Sequence, residues 1–329
     1  MKTISVIISF YNRAGFIAET LSSIEKQTLK PYEVLLIDDG SADHSVDVIK
    51  KFQETSKLNI IVLKNKFTKG QSGALNFGIQ HAKGEMIAIN DSDDLWTPMH
   101  LQKLYEALMG YPEACMAFSA IEIFGPARDR VLKANSFKIS VQRCLTEAFE
   151  RDGQGVWVSN GRLLESLLMH GVPFRCPASL IRKEFFLKQN LYFDPEITYT
   201  QDAHFMTLAS YFTSFLYVET VGLRIRRHAE NDGDKAYGDR ISVSYDIRSR
   251  KLKEFFAKHK ISSEEKRALN HRLWNLQTYI AEKKSLGKGL GKRTRTALKL
   301  VKKVPTGSSV KSAVKLLMGL SLTGTVRDE

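Results

Sequence analysis

Cysteine is scarce in this chain, and the cysteines present are not arranged for pairing. The 329 residues contain three, Cys115, Cys144 and Cys176, which are odd in number, far apart and without a CxxC spacing. A disulfide framework and a zinc site both need grouped cysteines, so neither is indicated. We therefore expect a reducing compartment and a fold stabilised by an ordinary hydrophobic core, which a chain of this length can bury.

Long apolar runs are also lacking. No stretch approaches the ~18 apolar residues of a membrane-spanning helix, and residues 1–6 run into a strand-like segment without a small-residue cleavage site. We expect a cytoplasmic protein, with peripheral attachment to the inner face of the cell membrane as an option. The glycines at Gly70–Ala74 have neither GxGxxG nor GxxxxGK[ST] form, which argues against dinucleotide binding and P-loop chemistry.

Acidic residues are missing from all but the last two positions of the C-terminal tail. The formal net charge is +13, and twelve Lys and Arg residues lie between Lys283 and Arg327 with no acid among them. Apolar residues alternate with lysines in this tail, which predicts amphipathic helices that bind anionic membrane through residues 288–329. A tail packed on its own domain or on a partner chain is the alternative. Because the charge is confined to one tail, we expect no nucleic-acid partner.

The first 125 residues alternate two kinds of hydrophobic pattern. Short apolar runs occupy 3–9, 33–37, 58–63 and 85–89, and helical spacing occupies 15–28, 45–52 and 70–82 between them. This alternation predicts an α/β fold with a mostly parallel sheet sandwiched by helices. Helices are also predicted at 99–109, 180–189 and 203–211. A helical C-terminal extension is predicted after residue 237, with a capping signal at Ser262–Glu265.

Three polar clusters follow predicted strands. They are Ser9–Asn12, Asp38–Ser41 and Asn90–Asp94. Ligands of open parallel sheets bind beyond the carboxyl ends of the strands. We therefore expect these clusters to form one site.

Asp91 and Asp93 are one residue apart at the end of a predicted strand. Two carboxylates in this position could share a divalent cation with a diphosphate, and oxygen ligands suit Mg²⁺ or Mn²⁺. The cation would offset charge on a departing diphosphate. The alternative is that these acids cap the helix that begins near Pro98.

Asp39 follows the second predicted strand, where it could accept an N–H of a nucleobase, and Phe10 or Tyr11 could supply a ring for stacking. The small residues from Gly70 open a helix and would let backbone N–H groups approach an anionic ligand. Considered alone, Asp39 is more often explained by an ordinary turn after the strand.

Taken together, the motifs resemble those of the family 2 inverting glycosyltransferases. The matching segments are Ser5–Asn12, Leu21–Ile24 with Gln27 and Thr28, Glu33–Ser41, Gly70–Gly78 and Asp91–Asp94. The resemblance is strong over about the first 110 residues and continues weakly to about 230. It implies a GT-A fold of the Rossmann-like type, a nucleotide-sugar donor and a divalent metal. It divides the chain into a catalytic domain at 1–230, with a nucleotide-binding half at 1–110 and an acceptor half at 111–230, and a basic helical region at 231–329.

The resemblance also implies roles for single residues. Asp39 matches the acid that contacts the base, Asp91 the acid near the ribose or sugar, and Asp93 the metal ligand. Phe10 and Tyr11 fall in the segment that forms the base pocket.

Two later segments complete the comparison. Asp202 matches the catalytic base of the family, although Gln201 stands where an acid is common, and Asp194, Glu196 or a simple helix-capping role for Asp202 are alternatives. His228, at the end of Arg224–His228, matches a histidine that can join the metal or diphosphate site. A solvated surface histidine is the alternative. Cys176 is expected to be a packed thiol.

These features predict an inverting glycosyltransferase that uses Mn²⁺ or Mg²⁺. The donor is a nucleoside-diphosphate sugar, with UDP favoured by the habit of the family, and the acceptor is a saccharide or a lipid-linked saccharide of surface-polysaccharide or glycan synthesis. Two alternatives stay open. A nucleotidyltransferase would want a Gly- and Arg/Lys-rich segment after the first strand, which is lacking at Ser9–Arg13. A catalytically degenerate nucleotide-sugar-binding module is favoured by Gln201.

Overall fold

The computed structural model describes residues 2–126, 136–228 and 237–285. The strands in these ranges are β1 (Ile4–Phe10), β2 (Glu33–Asp38), β3 (Ile60–Lys64), β4 (Met86–Asp91), β5 (Leu95–Trp96), β6 (Met116–Phe124), β7 (Phe149–Arg151), β8 (Val156–Ser159), β9 (Ser179–Arg182) and β10 (Phe215–Arg226). The helices are α1 (Ile17–Glu25), α2 (Ser45–Gln53), α3 (Gln71–His81), α4 (His100–Gly110), α5 (Ser136–Ala148), α6 (Leu163–His170), α7 (Lys183–Gln189), α8 (Gln201–Ala209), α9 (Tyr237–Lys258) and α10 (Ser263–Ser285).

The strands form one mixed sheet in the order β3-β2-β1-β4-β9-β6-β10-β8-β7, and β5 pairs with β10. The pairs β1–β2, β1–β4, β2–β3 and β6–β10 are parallel. β9 lies between β4 and β6 and is antiparallel to both. The predicted α/β class, with a mostly parallel sheet and a helical C-terminal region, is confirmed.

The central strand β1 is buried on both faces because helices cover the sheet. Val6, Ile7 and Ile8 have no exposed surface, as expected for a strand of a covered parallel sheet. A Cβ added to Gly78 of α3 would lie 2.6 Å from Ile7 Cγ2. The glycine therefore lets α3 approach the sheet closely.

The prediction of a helix over 180–189 was partly wrong. Residues Ser179–Arg182 form β9, and only Lys183–Gln189 form a helix. A short apolar run such as Leu180–Ile181 fits a buried strand as well as a buried helix. Residues Ser179–Arg182 form a strand because they pair with β4 and β6.

Helix α1 anchors the loop that follows β4. Thr20 Oγ1 donates to the Ser92 carbonyl at 3.1 Å. The buried Gln27 side chain donates to the Thr97 carbonyl at 2.7 Å and accepts from Leu101 N at 3.0 Å. These bonds fix the chain within Asp91–Asp94 and directly after it.

Replacing Gln27 with alanine is expected to lower the free energy of unfolding by about 2–3 kcal/mol, since the Thr97 carbonyl and the Leu101 N–H would lose their buried partner. Urea denaturation followed by circular dichroism measures the loss. Gln102→Ala, which removes a surface amide on α4 that bonds Glu106, is the matched control and should change stability by less than about 0.5 kcal/mol. Equal effects of the two substitutions would contradict the anchoring role of Gln27.

The chain divides into two compact units. One comprises Met1–Leu163, Pro173–Pro195 and Gln201–Asp232, and the other comprises Leu164–Val172, Glu196–Thr200 and Gly233–Glu329. Each unit is made of several separate stretches of the sequence, whereas each predicted domain is one continuous stretch. The predicted boundary between 1–230 and 231–329 stays a prediction.

The second unit contains α9 and α10. The predicted capping signal is confirmed at the start of α10, where Ser262 Oγ accepts from Glu265 N at 3.1 Å and Ser262 N donates to the Glu265 carboxylate at 2.6 Å. Within the described ranges, none of the helices combines the length and apolar character needed to cross a bilayer. The basic tail at 288–329 lies outside the described residues.

Candidate active site

The carboxyl ends of β1, β2 and β4 meet at one edge of the sheet. Phe10 is in register with Asp38 of β2, and Ser9 is in register with Asp91 of β4. Parallel pairing therefore brings the three predicted polar clusters side by side.

Asp39 is held at this edge by two hydrogen bonds from the loop between β3 and α3. Its carboxylate accepts from Asn65 Nδ2 at 2.7 Å and from Gly70 N at 2.8 Å. Asp38 has a different task, because its side chain accepts from Gly40 N and Ser41 N and thereby closes the turn after β2. Sequence reasoning missed Asn65, although a polar residue directly after β3 was a signal of the same kind as the others.

Phe10 and Tyr11 differ in what they expose. Phe10 is 2% exposed and belongs to the hydrophobic core, so its ring is not available to a ligand. This burial argues against stacking of a base on the Phe10 ring, and any other contribution of Phe10 to the base pocket stays a prediction. Tyr11 is 47% exposed, and Lys69 Nζ lies 5.2 Å from the centroid of its ring. Tyr11 is therefore the ring of the pair that a ligand can reach.

Asp93 and His228 lie together although 135 positions separate them in sequence. His228 Nε2 is 3.2 Å from Asp93 Oδ2, and the imidazole stacks on Phe16 with ring centroids 4.5 Å apart. Arg13 Nε is 3.7 Å from the same carboxylate oxygen. The structure therefore groups the two predicted metal ligands and adds Arg13, which sequence reasoning missed.

Asp94 connects this loop to β10. Its carboxylate accepts from Arg226 N at 2.8 Å, and Arg226 Nε donates to the Asp93 carbonyl at 2.9 Å. Burial and the nearby charges of Asp91 and Asp93 raise the pKa of Asp94 well above its usual range. Asp94 thus joins the two segments that carry Asp93 and His228.

Asp91 and Asp202 come close enough for their charges to interact. Burial, followed by the charges of Asp93 and Asp202, raises the pKa of Asp91 to about 7. Asp202 lies in the first turn of α8. The site therefore contains four neighbouring carboxylates, Asp91, Asp93, Asp94 and Asp202, from two distant parts of the chain.

Glu196 and Cys176 show no sign of a catalytic role. Glu196 is engaged by Arg250 at 3.0 Å and Lys251 at 2.7 Å. Cys176 is buried, and burial together with the charges of Asp202 and Asp91 raises the pKa of its thiol. A buried thiol with a raised pKa is a poor nucleophile, as expected for a packed residue.

Asp93 offers a carboxylate, which suits Mn²⁺ or Mg²⁺, and His228 offers an imidazole beside it as a further ligand. The described residues contain no group of three or more His, Cys, Asp and Glu side chains arranged to hold a metal by themselves. The pair therefore fits a metal whose other ligands come from a diphosphate and water.

Comparison with known proteins identifies the family. The model of glycosyl transferase family 2 matches residues 5–188, more than half of the chain. The Escherichia coli UDP-Glc:alpha-D-GlcNAc-diphosphoundecaprenol beta-1,3-glucosyltransferase WfaP is 41% identical over 96 residues, which are 29% of this chain and 37% of that protein. Matches to curated relatives span about a third of those proteins' own length.

Solved structures with the same fold include two with a bound nucleotide sugar. S. aureus TarS 1-349 with UDP-GlcNAc is 16% identical, with a TM-score of 0.56 over 99% of this chain and 95% of that one. The Pyrobaculum calidifontis mannosyltransferase PcManGT with GDP-Man and Mn²⁺ is also 16% identical, with a TM-score of 0.56 over 97% of this chain and 86% of that one. These likenesses show the GT-A fold, and the family match shows that the chain belongs to glycosyl transferase family 2.

Proposed function

We propose that the chain is an inverting glycosyltransferase that moves a sugar from a nucleoside-diphosphate donor, with UDP as the nucleotide, to a saccharide or lipid-linked acceptor. The observation that carries this proposal is the convergence of Asp39, Asp91, Asp93, Asp202 and His228 at the carboxyl ends of the strands. A base-binding acid, a cation site and a basic carboxylate are the three components that the reaction needs.

The nucleoside would bind at Tyr11 and Asp39. The exposed Tyr11 ring offers a stacking surface, and the Asp39 carboxylate is held in place by Asn65 and Gly70 N. Because Gly70 is the N-cap of α3, the start of that helix adds backbone donors near the nucleotide.

The diphosphate would lie between Arg13, Asp93 and His228. When bound, a divalent cation supplies positive charge that stabilises the leaving diphosphate. Asp93 and His228 would hold that cation, and the Arg13 guanidinium would pair with a phosphate oxygen.

Asp202 would act as the catalytic base. Its carboxylate takes the proton from the acceptor hydroxyl while the hydroxyl oxygen forms a bond to the anomeric carbon and the bond from that carbon to the diphosphate oxygen breaks. Attack from the face opposite to the leaving group inverts the anomeric centre. The proximity of Asp202 to Asp91 supports its placement beside the sugar.

The acceptor would be a saccharide carried on a lipid. The support is the relative WfaP, whose name gives a diphosphoundecaprenol-linked GlcNAc as its acceptor. Contact of residues 288–329 with an anionic membrane would keep the enzyme near such an acceptor. That contact stays a prediction, as does the absence of a nucleic-acid partner.

Replacing Tyr11 with alanine is expected to weaken UDP binding about tenfold, because stacking of a base on an aromatic ring contributes about 1–3 kcal/mol. Isothermal titration calorimetry with UDP and Mn²⁺ measures the change. Tyr11→Phe keeps the ring and is the matched control, expected to bind within about twofold of the native chain. If both variants bind as the native chain does, the base does not stack on Tyr11.

The function is tested with a panel of UDP-, GDP- and dTDP-sugars incubated with the full chain and Mn²⁺ or Mg²⁺. Metal-dependent release of a nucleoside diphosphate, with an acceptor product of inverted anomeric configuration, is expected from one donor. Nucleotide-sugar binding without release or transfer would favour the degenerate binding module. If the chain neither binds nor cleaves any donor of the panel, that result would contradict the proposal.

A further inference from the structure

Two glutamine side chains connect the nucleotide side of the site with helix α8. Gln201 Nε2 donates to Gln71 Oε1 at 2.6 Å, and Gln71 Nε2 donates to Asp91 Oδ1 at 2.9 Å. Gln71 is the first residue of α3 and Gln201 is the first residue of α8. Both amides therefore act at helix starts, one of which carries Asp202.

The direction of these hydrogen bonds is set by chemistry. In the structure Gln71 turns its NH₂ group to Asp91 and its carbonyl oxygen to Gln201, which is the orientation that a carboxylate acting as acceptor requires. Residue 201 must then donate. Glutamine can donate and an ionised glutamate cannot, so the amide at position 201 fits its place between Gln71 and Asp202.

We propose that Gln201 is a positioning residue, which acts through Gln71 to hold Asp91 and the start of α8 in register. This inference rests on the proposed function, in which Asp91 lies beside the sugar and Asp202 takes the acceptor proton. In this arrangement the glutamine in place of an acid is a working part of the site and not a sign of lost catalysis.

A double-mutant cycle in the full chain tests the connection. Gln201→Met and Gln71→Met are each expected to lower kcat about tenfold, the change that the free energy of one hydrogen bond produces, with the KM for the donor within about twofold of the native value. The double variant is expected to resemble Gln71→Met alone, because Gln201 acts only through Gln71. Multiplied effects of the two substitutions, or unchanged kcat in Gln201→Met, would overturn the proposal.

Gln201→Glu separates positioning from degeneracy. A carboxylate at this position would face the carbonyl oxygen of Gln71 or turn that amide away from Asp91, so kcat is expected to fall at least as far as in Gln201→Met. If Gln201 instead marks the loss of a useful acid, Gln201→Glu would raise kcat, and that result would overturn the proposal.

An NMR measurement that requires no enzymatic activity tests the hydrogen bond between Gln201 and Gln71 independently of the proposed function. In the NMR spectrum of the full chain labelled with ¹⁵N-glutamine, the signal of the Gln71 side-chain amide is identified as the one that disappears in the Gln71→Met variant. We expect its resonance to shift in Gln201→Met and Gln201→Glu but not in Gln102→Met, a substitution on α4 that leaves both hydrogen bonds intact. A Gln71 signal unaffected by either Gln201 substitution would overturn the connection, whether or not a donor is found.

Discussion

Replacing Asp202 with asparagine is expected to lower the rate of sugar transfer by about 10²–10⁴-fold, the range that general base catalysis contributes. Asparagine keeps the size of the side chain but cannot accept the acceptor proton. Donor binding should be preserved, because Asp39, Asp93 and His228 remain in place. Initial rates of nucleoside diphosphate release, with donor affinity from calorimetry, separate the two effects.

Two neighbouring acids serve as comparisons for Asp202. Glu196→Gln removes a carboxylate that pairs with Arg250 and Lys251, and it should retain transfer within about threefold. Asp194→Asn tests the remaining alternative base. A large loss in Asp194→Asn together with normal transfer in Asp202→Asn would move the role of the base to Asp194.

Replacing Asp93 with asparagine should weaken Mn²⁺-dependent binding of UDP by about 10²-fold or more, since an amide is a much weaker metal ligand than a carboxylate and charge stabilisation by a metal is worth several kcal/mol. Transfer should fall at least as much. Titration of UDP into the protein with Mn²⁺, and again with a chelator, measures the metal-dependent part of the affinity.

Asp47→Asn controls for the loss of one negative charge. Asp47 is an exposed residue of α2 that pairs with His44, and its replacement should leave the metal-dependent affinity unchanged. If Asp93→Asn binds UDP with Mn²⁺ as tightly as the native chain and Asp47→Asn do, Asp93 is not a metal ligand.

The N-terminal part of the fold could be predicted because its pattern is local. Strands β1 to β4 and helices α1 to α3 alternate, and short apolar runs mark the strands while helical spacing of apolar residues marks the helices. Their predicted positions agree with the observed ones within a few residues. Strand β9 could not be predicted, because its pairing with β4 and β6 depends on partners more than 50 residues away. The two-residue strand β5 could not be predicted for the same reason, because its pairing partner β10 is distant in sequence.

Asp39, Asp91 and Asp93 were visible in the sequence because each lies at or just after a strand end, where parallel pairing brings ligands together, whereas Asp202 was indicated by the family resemblance. The orientation of side chains was not visible. Phe10 and Tyr11 are adjacent, yet the end of β1 turns one ring into the core and the other to solvent. Gln71 and Arg13 act through contacts that form only after distant segments meet, so no local pattern marks them, whereas Asn65 directly follows β3 and could have been found.

A crystal structure of the full chain with UDP and Mn²⁺ tests the account most directly. We predict that the uracil lies against Tyr11 beside Asp39, that the metal contacts Asp93 and the diphosphate, and that Asp202 faces the position of the anomeric carbon. Nucleotide bound away from the ends of β1, β2 and β4, or a metal that contacts the diphosphate without Asp93, would contradict it.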